Sequence, residues 1–233
     1  MLVGQLALAT VKSVRVKRST SLSMLAYAAN WVKELGPTTL EARTTMNPPI
    51  QTERGVHGDF FADVGSCDKP NFKGPGLAIA TLNTWIIDYM TRQKLVAPNG
   101  VIVVGQSGGG WGAIALSSLN PPSVRAIITF AAGRGGRVDG KPNNNCAPDK
   151  LVAATGEFGR TSRIPMLWIY TENDTYFGPE VSKPMYAAFT AAGGNAEYHL
   201  LPPFGSDGHF MIDSKDAVPL WAPLVSEFLD KHR

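Results

Sequence analysis

The sequence has few of the residues that build metal centres, disulfide networks or membrane spans. It contains 2 cysteines and 4 histidines among 233 residues, and neither type recurs at the spacing of a metal site. Its apolar runs are all shorter than the roughly 18 residues that span a bilayer. It also lacks a phosphate-binding loop and a dinucleotide fingerprint. We therefore expect no metal, no cofactor and no membrane span.

The sequence has little excess of charge of either sign. Its 22 Lys and Arg residues nearly balance its 19 Asp and Glu residues, and the net charge is +3. The one dense basic cluster is KSVRVKR at 12–18. It has no interleaved aromatic residues and is more typical of a solvated strand or loop than of a nucleic-acid site. The positive charges follow the short apolar segment at the N-terminus, which is not typical of a secretory signal. We expect no nucleic-acid partner.

The two cysteines, Cys67 and Cys146, lie in loop-like surroundings. A disulfide between them would indicate an oxidising compartment, so that the protein would be periplasmic or secreted. Two unpaired cysteines would instead fit a reducing cytoplasm. The residues themselves leave both possibilities open.

The chain after about residue 76 alternates between strand and helix signals. Buried strands are predicted at 101–105 and 124–132, and further strands are predicted at 164–172 and 196–202. Helical spacing is found at 77–95, 111–119, 151–159, 183–194 and 222–233. This alternation predicts an α/β fold with a mostly parallel sheet and helices on both faces.

The first part of the chain is less regular. A helix is predicted at 21–36, where Gly36 is a stop signal, whereas the strand signals at 5–16 and 38–54 are weak. We predict a single domain over 1–233 with an irregular or divergent part at 1–54.

One segment, VIVVGQSGGGWG at 101–112, has the pattern of a nucleophile elbow. Its G-x-S-x-G stretch places Ser107 between a predicted strand and a predicted helix, as a tight turn that presents a nucleophile requires. Gly105 and Gly109 supply the small residues that such a turn needs. The N–H of Gly108 would lie at a helix N-terminus, where an oxyanion is stabilised. The alternative is an ordinary packing turn.

A serine hydroxyl needs a base and an orienting acid to become a nucleophile. His209 follows the last predicted strand in a glycine-rich loop, which favours it as the base. Asp174 follows the strand at 164–172 and is the favoured acid, with Glu172 as the fallback. The resulting order, Ser107, Asp174, His209, is the chain order of the α/β-hydrolase triad. The other histidines are His57, His199 and His232.

Four segments together resemble the dienelactone-hydrolase-like branch of the α/β-hydrolases, over roughly residues 55 to 230. They are VVGQSGGGWGAIAL, FAAGRGG, IPMLWIYTENDTYFGP and LLPPFGSDGHF. The resemblance implies an α/β-hydrolase fold and an esterase-type serine hydrolase with Ser107, Asp174 and His209 as its triad. Dienelactone hydrolases proper carry a cysteine nucleophile, so their lactone substrate is not carried over. Similar exported hydrolases also imply a disulfide between Cys67 and Cys146.

The resemblance also implies a second oxyanion donor, from a His-Gly-type turn before the first core helix. If the helix at 21–36 is that helix, the turn should lie near residues 10–23, and TVKSVRVKRSTSLS contains none. The one His-Gly pair, His57-Gly58, follows that helix and is interpreted as part of a loop at the rim of the site. The sequence therefore offers no obvious residue as the second oxyanion donor.

Trp111, Tyr176 and Phe177 could line a substrate pocket or simply pack. Arg134 and Arg137 could bind an acidic substrate or be solvated loop residues. We expect the protein to hydrolyse a small-molecule carboxylic ester, short-chain or aryl, through an acyl-serine intermediate. The alternatives are a peptidase of the same fold and a catalytically impaired binding module.

Overall fold

Strands and helices alternate through the part of the chain that the structure, a computed structural model, describes, namely residues 6–9, 64–96 and 100–232. The strands are β1 (Leu6–Ala9), β2 (Val101–Gln106), β3 (Val124–Phe130), β4 (Met166–Thr171) and β5 (Ala196–Leu201). The helices are α1 (Lys73–Arg92), α2 (Ser107–Leu119), α3 (Pro148–Gly159), α4 (Pro179–Ala191) and α5 (Val218–Lys231). Short 3₁₀ turns cover Val138–Gly140, Gly208–Asp213 and Lys215–Ala217.

The strands form one sheet in the order β1-β2-β3-β4-β5. The strands β2 to β5 are parallel to one another, and β1 pairs with β2 in the antiparallel sense. The prediction of a mostly parallel sheet is therefore confirmed. Because the strands are parallel, the loops after β2, β3, β4 and β5 all leave the same edge of the sheet, where open α/β sheets carry their sites.

Helices cover both faces of this sheet, as predicted. Alternate residues of a strand point to opposite faces, and Val103 accordingly packs with α1 to α4 whereas Ile102 and Val104 pack with α5. The ring of Phe130 at the end of β3 meets Trp221 of α5 edge to face, at 5.4 Å between centroids. None of the helices in the described ranges has the length and apolar character needed to cross a bilayer.

Several helix starts differ from the sequence prediction. The helix α2 begins at Ser107, four residues before the first predicted position, because the glycines of the elbow carry no apolar periodicity. The helices α3 and α4 each begin at a proline, Pro148 and Pro179, since a missing N–H is no loss in the first helical turn. The predicted helix at 21–36, the strand signal at 38–54, the basic cluster at 12–18 and His57 lie outside the described residues.

A disulfide joins Cys67 to Cys146, as the family resemblance implied. Cys67 lies in the exposed loop before α1, and Cys146 lies buried just before α3. The bond closes a loop between cysteines that are 79 positions apart, and the N–H of Cys146 donates to the carbonyl of Gly135 at 2.8 Å. The bond therefore fixes the loop that follows β3 as well as the start of α3.

Removing this bond should lower the free energy of unfolding by roughly 2–5 kcal/mol, because closure of a long loop restricts the unfolded chain. The measurement is urea unfolding of the wild type and of the Cys67→Ala/Cys146→Ala variant, each with and without dithiothreitol. We expect reductant to lower the wild-type midpoint to that of the variant and to leave the variant unchanged. A wild-type midpoint that does not respond to reductant would contradict a stabilising bond.

Candidate active site

The serine of the elbow stands at a strained junction between strand and helix. The strand β2 ends at Gln106 and α2 begins at Ser107 with no residue between them. Ser107 has a φ of +54°, in the left-handed region that is costly for a residue with a side chain. A Cβ on Gly105 would lie 2.6 Å from the carbonyl oxygen of Gly109 and 2.9 Å from the Cα of Gly110. Only glycine fits at position 105, because the backbone of β2 touches the backbone of the first turn of α2 there.

Three polar side chains form a hydrogen-bonded line that ends at this serine. The Nε2 of His209 lies 3.0 Å from the Oγ of Ser107, and its Nδ1 lies 3.0 Å from Oδ1 and 3.2 Å from Oδ2 of Asp174. An ionised carboxylate only accepts hydrogen bonds, so Nδ1 carries the proton and Nε2 is free to accept one from the serine. His209 and Asp174 are buried, and Ser107 is half-buried.

The carboxylate in this line belongs to Asp174 and not to Glu172. The Oδ1 of Asp174 also accepts the N–H groups of Tyr176 and Phe177, both at 2.8 Å. The carboxylate is therefore satisfied in its buried position before His209 is counted. Glu172 is exposed, and its N–H donates to the carbonyl of Leu201 at the end of β5.

The loop that carries His209 is held by two residues that sequence reasoning missed. The side-chain amide of Gln106 donates to the carbonyl of His209 at 2.9 Å. The Oδ1 of Asp207 accepts the N–H of His209 at 3.0 Å and that of Thr175 at 3.1 Å, and its Oδ2 accepts the hydroxyl of Thr175 at 2.6 Å. The only signal in the sequence was the place of Gln106 inside G-x-S-x-G.

These hydrogen bonds lower the pKa of the Asp207 carboxyl group. Partial burial raises the pKa of its carboxyl group, but hydrogen bonds from Thr175 and from the N–H of His209 outweigh burial, and the pKa lies below its usual range. The guanidinium of Arg137 adds an ion pair with Asp207 at 3.7 Å. Arg137 is therefore a paired residue beside the site.

Aromatic rings surround the imidazole of His209. Tyr176 stacks on it with 4.1 Å between centroids, and the guanidinium of Arg137 lies 5.1 Å from the centre of the Tyr176 ring. Phe210 meets the imidazole edge to face at 5.1 Å and is 45% exposed. The imidazole is thus held by packing as well as by hydrogen bonds, and two of its neighbours reach the surface.

Trp111 and Phe177 belong to the interior. Trp111 is fully buried, donates its indole N–H to the carbonyl of Phe72 at 2.8 Å and packs against Phe158. Phe177 is buried and occupies the space that a side chain on Gly133 would need. Both residues therefore pack in the interior, which is one of the two roles that the sequence left open for them.

Gly108 lies buried in the first turn of α2, where helix N–H groups have no partner within the helix. Of the two remaining histidines that the structure describes, His199 belongs to β5 and His232 pairs with Glu197 at 3.7 Å near the C-terminus. Across residues 64–96 and 100–232, no three His, Cys, Asp or Glu side chains are grouped to hold a metal ion.

Comparisons with known proteins give distant structural likenesses. A protein assigned as a dienelactone hydrolase from Klebsiella pneumoniae is 16% identical over 70% of this chain and 65% of its own, with a TM-score of 0.49. Esterase PE8 is 20% identical over 68% of this chain and 64% of its own, with a TM-score of 0.48. An acylaminoacyl peptidase of Pyrococcus horikoshii is 13% identical over 63% of this chain and 26% of its own, also at 0.48. No protein-family model and no curated protein matches the chain.

The chain itself carries the features that define one fold. Its parallel sheet has helices on both faces, and a serine elbow joins β2 directly to α2. The hydrogen-bonded Ser107, Asp174 and His209 follow one another in the chain order of that fold. On these grounds the chain has the α/β-hydrolase fold.

Proposed function

We propose that the protein is a serine hydrolase that cleaves carboxylic esters through an acyl-enzyme. Ser107 is the nucleophile, His209 the general base and Asp174 the residue that orients it. The observation that carries this proposal is the hydrogen-bonded line from the buried Asp174 to the half-buried Ser107. Of the three residues in that line only Ser107 is partly exposed, as an attack on a substrate requires.

Acylation begins when the Oγ of Ser107 attacks the ester carbonyl carbon. The hydroxyl proton passes to Nε2 of His209, and the carbonyl π electrons move onto oxygen to form an oxyanion. The N–H of Gly108 donates to that oxyanion. When the intermediate collapses, the bond to the alcohol oxygen breaks, and the leaving alkoxide takes the proton from His209.

Deacylation repeats these steps with water. His209 removes a proton from the water, whose oxygen attacks the acyl carbon, and the bond to Ser107 then breaks as Oγ regains a proton. The net reaction converts an ester and water into an acid and an alcohol. Asp174 keeps the proton on Nδ1 between these steps and stabilises the imidazolium while it is charged.

The groups around His209 favour small apolar or aromatic alcohol portions in the substrate. His209 protonates the leaving oxygen, so its neighbours lie beside the alcohol portion of the ester. Those neighbours are the half-buried Tyr176 and the exposed edge of Phe210. Aromatic rings pack well against one another in offset or edge-on arrangements, which supports short-chain and aryl esters as the substrate class.

The disulfide supports an oxidising location for this activity. Structural disulfides persist in the periplasm and outside the cell and are rare in the cytosol. We therefore infer that the protein works in the periplasm or after secretion, where the bond between Cys67 and Cys146 remains formed.

Replacement of the proposed nucleophile tests the whole scheme. Ser107→Ala should lower kcat for p-nitrophenyl acetate and butyrate by about 10⁶-fold. It should also abolish labelling by a fluorophosphonate probe, because no oxygen remains to be phosphonylated. Ser118→Ala, on the same helix, is the matched control and should keep both activities. Failure of the wild type to be labelled would instead support the binding module.

The identity of the acid is tested with two neighbouring carboxylates. Asp174→Asn should lower kcat by about 10⁴-fold, because an amide at this position favours the wrong imidazole tautomer. Glu172→Gln is the control, since its side chain is exposed and does not contact His209. The measurement is kcat on p-nitrophenyl butyrate. A larger loss with Glu172→Gln than with Asp174→Asn would refute the assignment.

Asp207 is a positioning residue for the loop of His209, and its effect should depend on pH. Its folded-state pKa is lowered, so its contribution to stability is complete above the unfolded pKa of about 3.9 and is lost as pH falls through the folded value. Asp207→Asn should therefore unfold at lower urea than the wild type at pH 7, with a difference that shrinks below pH of about 4. The exposed Asp216→Asn serves as the control. A difference that grows on acidification would contradict this.

A further inference from the structure

One arginine is held against the elbow by the loop that follows β3. Arg134 lies between Gly133, whose N–H donates to the carbonyl of Ser107 at 3.2 Å, and Gly135, whose carbonyl accepts the N–H of Cys146 at 2.8 Å. Gly135 has a φ of +73°, which favours glycine and turns the chain sharply. Arg134 is therefore fixed on one side by the nucleophile and on the other by the disulfide-linked segment.

The guanidinium of Arg134 occupies the space beside Gly108. A Cβ on Gly108 would lie 2.5 Å from the Nη1 of Arg134 and 3.7 Å from its Cζ. No other described group outside the helix itself and the adjoining residues lies within 4 Å of that point. Glycine at position 108 thus leaves room for a cation in the place that a side chain on the residue after Ser107 would fill.

This cation has no partner among the described residues. No carboxylate in these ranges lies within ion-pair distance of Arg134, whereas Arg137 in the same loop is paired with Asp207. The Nε and Nη2 of Arg134 are buried without a hydrogen bond. Burial lowers the pKa of its guanidinium, but arginine still stays charged at neutral pH. A desolvated and unpaired charge is costly in a resting protein.

We propose that Arg134 is a catalytic residue whose guanidinium, together with the N–H of Gly108, stabilises the oxyanion that forms when Ser107 attacks the substrate. This rests on the proposed ester hydrolysis and supplies a second oxyanion donor, for which the sequence offers no obvious candidate. A cation that is unpaired at rest gains its partner only when negative charge develops on the carbonyl oxygen. Such an interaction favours the transition state over the bound substrate and so raises kcat.

The test compares Arg134→Met with the wild type and with Arg160→Gln, an exposed arginine at the end of α3. With p-nitrophenyl butyrate, Arg134→Met should lower kcat by about 10²–10³-fold, with KM unchanged within about threefold. Its melting temperature should equal or exceed that of the wild type, because an unpaired charge has been removed from a partly buried place. Arg160→Gln should change none of these three quantities: kcat, KM and the melting temperature.

Two further arms separate charge stabilisation from other roles. Arg134→Lys keeps the charge and should recover at least part of kcat, so an equal loss with Lys and Met would overturn the proposal. Mono-p-nitrophenyl succinate is a carboxylated ester. Arg134→Met should lower kcat for this ester by the same factor as for the neutral ester. A loss confined to the anionic ester, or seen only in KM, would show recognition of a substrate carboxylate and overturn the proposed role.

The outcomes also separate this proposal from the proposed function. Turnover that is lost in Ser107→Ala but unchanged in Arg134→Met would overturn the role of Arg134 and leave the hydrolase intact. Wild-type turnover that persists in Ser107→Ala would overturn the hydrolase, and the role of Arg134 with it.

Discussion

The contact between Gly105 and the first turn of α2 is the constraint on which the site depends. It lets the strand run directly into the helix, so that Ser107 has a φ of +54° and stands at the edge of the sheet. A strained residue of this kind persists only where the surroundings determine its conformation. The surroundings here are a strand whose first five residues are buried and a helix whose Ile114 and Leu116 are fully buried. The core therefore holds the turn that the hydroxyl needs.

Charge is distributed unequally around that hydroxyl. On one side Asp174 is fully satisfied, with two backbone N–H groups and His209 as donors. On the other side, the Nε and Nη2 of Arg134 have no hydrogen-bond partner among the residues that the structure describes. In the proposed mechanism the first arrangement stabilises a positive imidazolium, and the second stabilises a negative oxygen. Both charges appear together when Ser107 attacks, so the resting site already holds a counter-charge for each.

The parts of the site that the sequence predicted are those that follow predicted strands. Ser107, Asp174 and His209 could be placed because apolar runs mark β2 and β4, and because parallel strands bring their carboxyl ends to one edge. The parts it missed depend on contacts between distant residues, such as Gln106 with His209 and Thr175 with Asp207. The helices that begin in glycine- or proline-containing segments were also predicted to start too late, because neither residue contributes to the apolar periodicity by which a helix is recognised. Nothing in the letters GRGGR distinguishes the paired Arg137 from the unpaired Arg134.

The loop after β3 explains how an unpaired cation can be kept beside the nucleophile. A flexible arginine would turn toward water or toward a carboxylate such as Asp207, which Arg137 already occupies. The backbone on either side of Arg134 is fixed, because the N–H of Gly133 donates to the carbonyl of Ser107 and the carbonyl of Gly135 accepts the N–H of Cys146. The disulfide thus constrains more than the unfolded chain, because it holds Cys146, whose N–H donates to the carbonyl of Gly135. In the proposed mechanism, a side chain that is fixed in this way completes an oxyanion site for whose second backbone donor the sequence offers no obvious candidate.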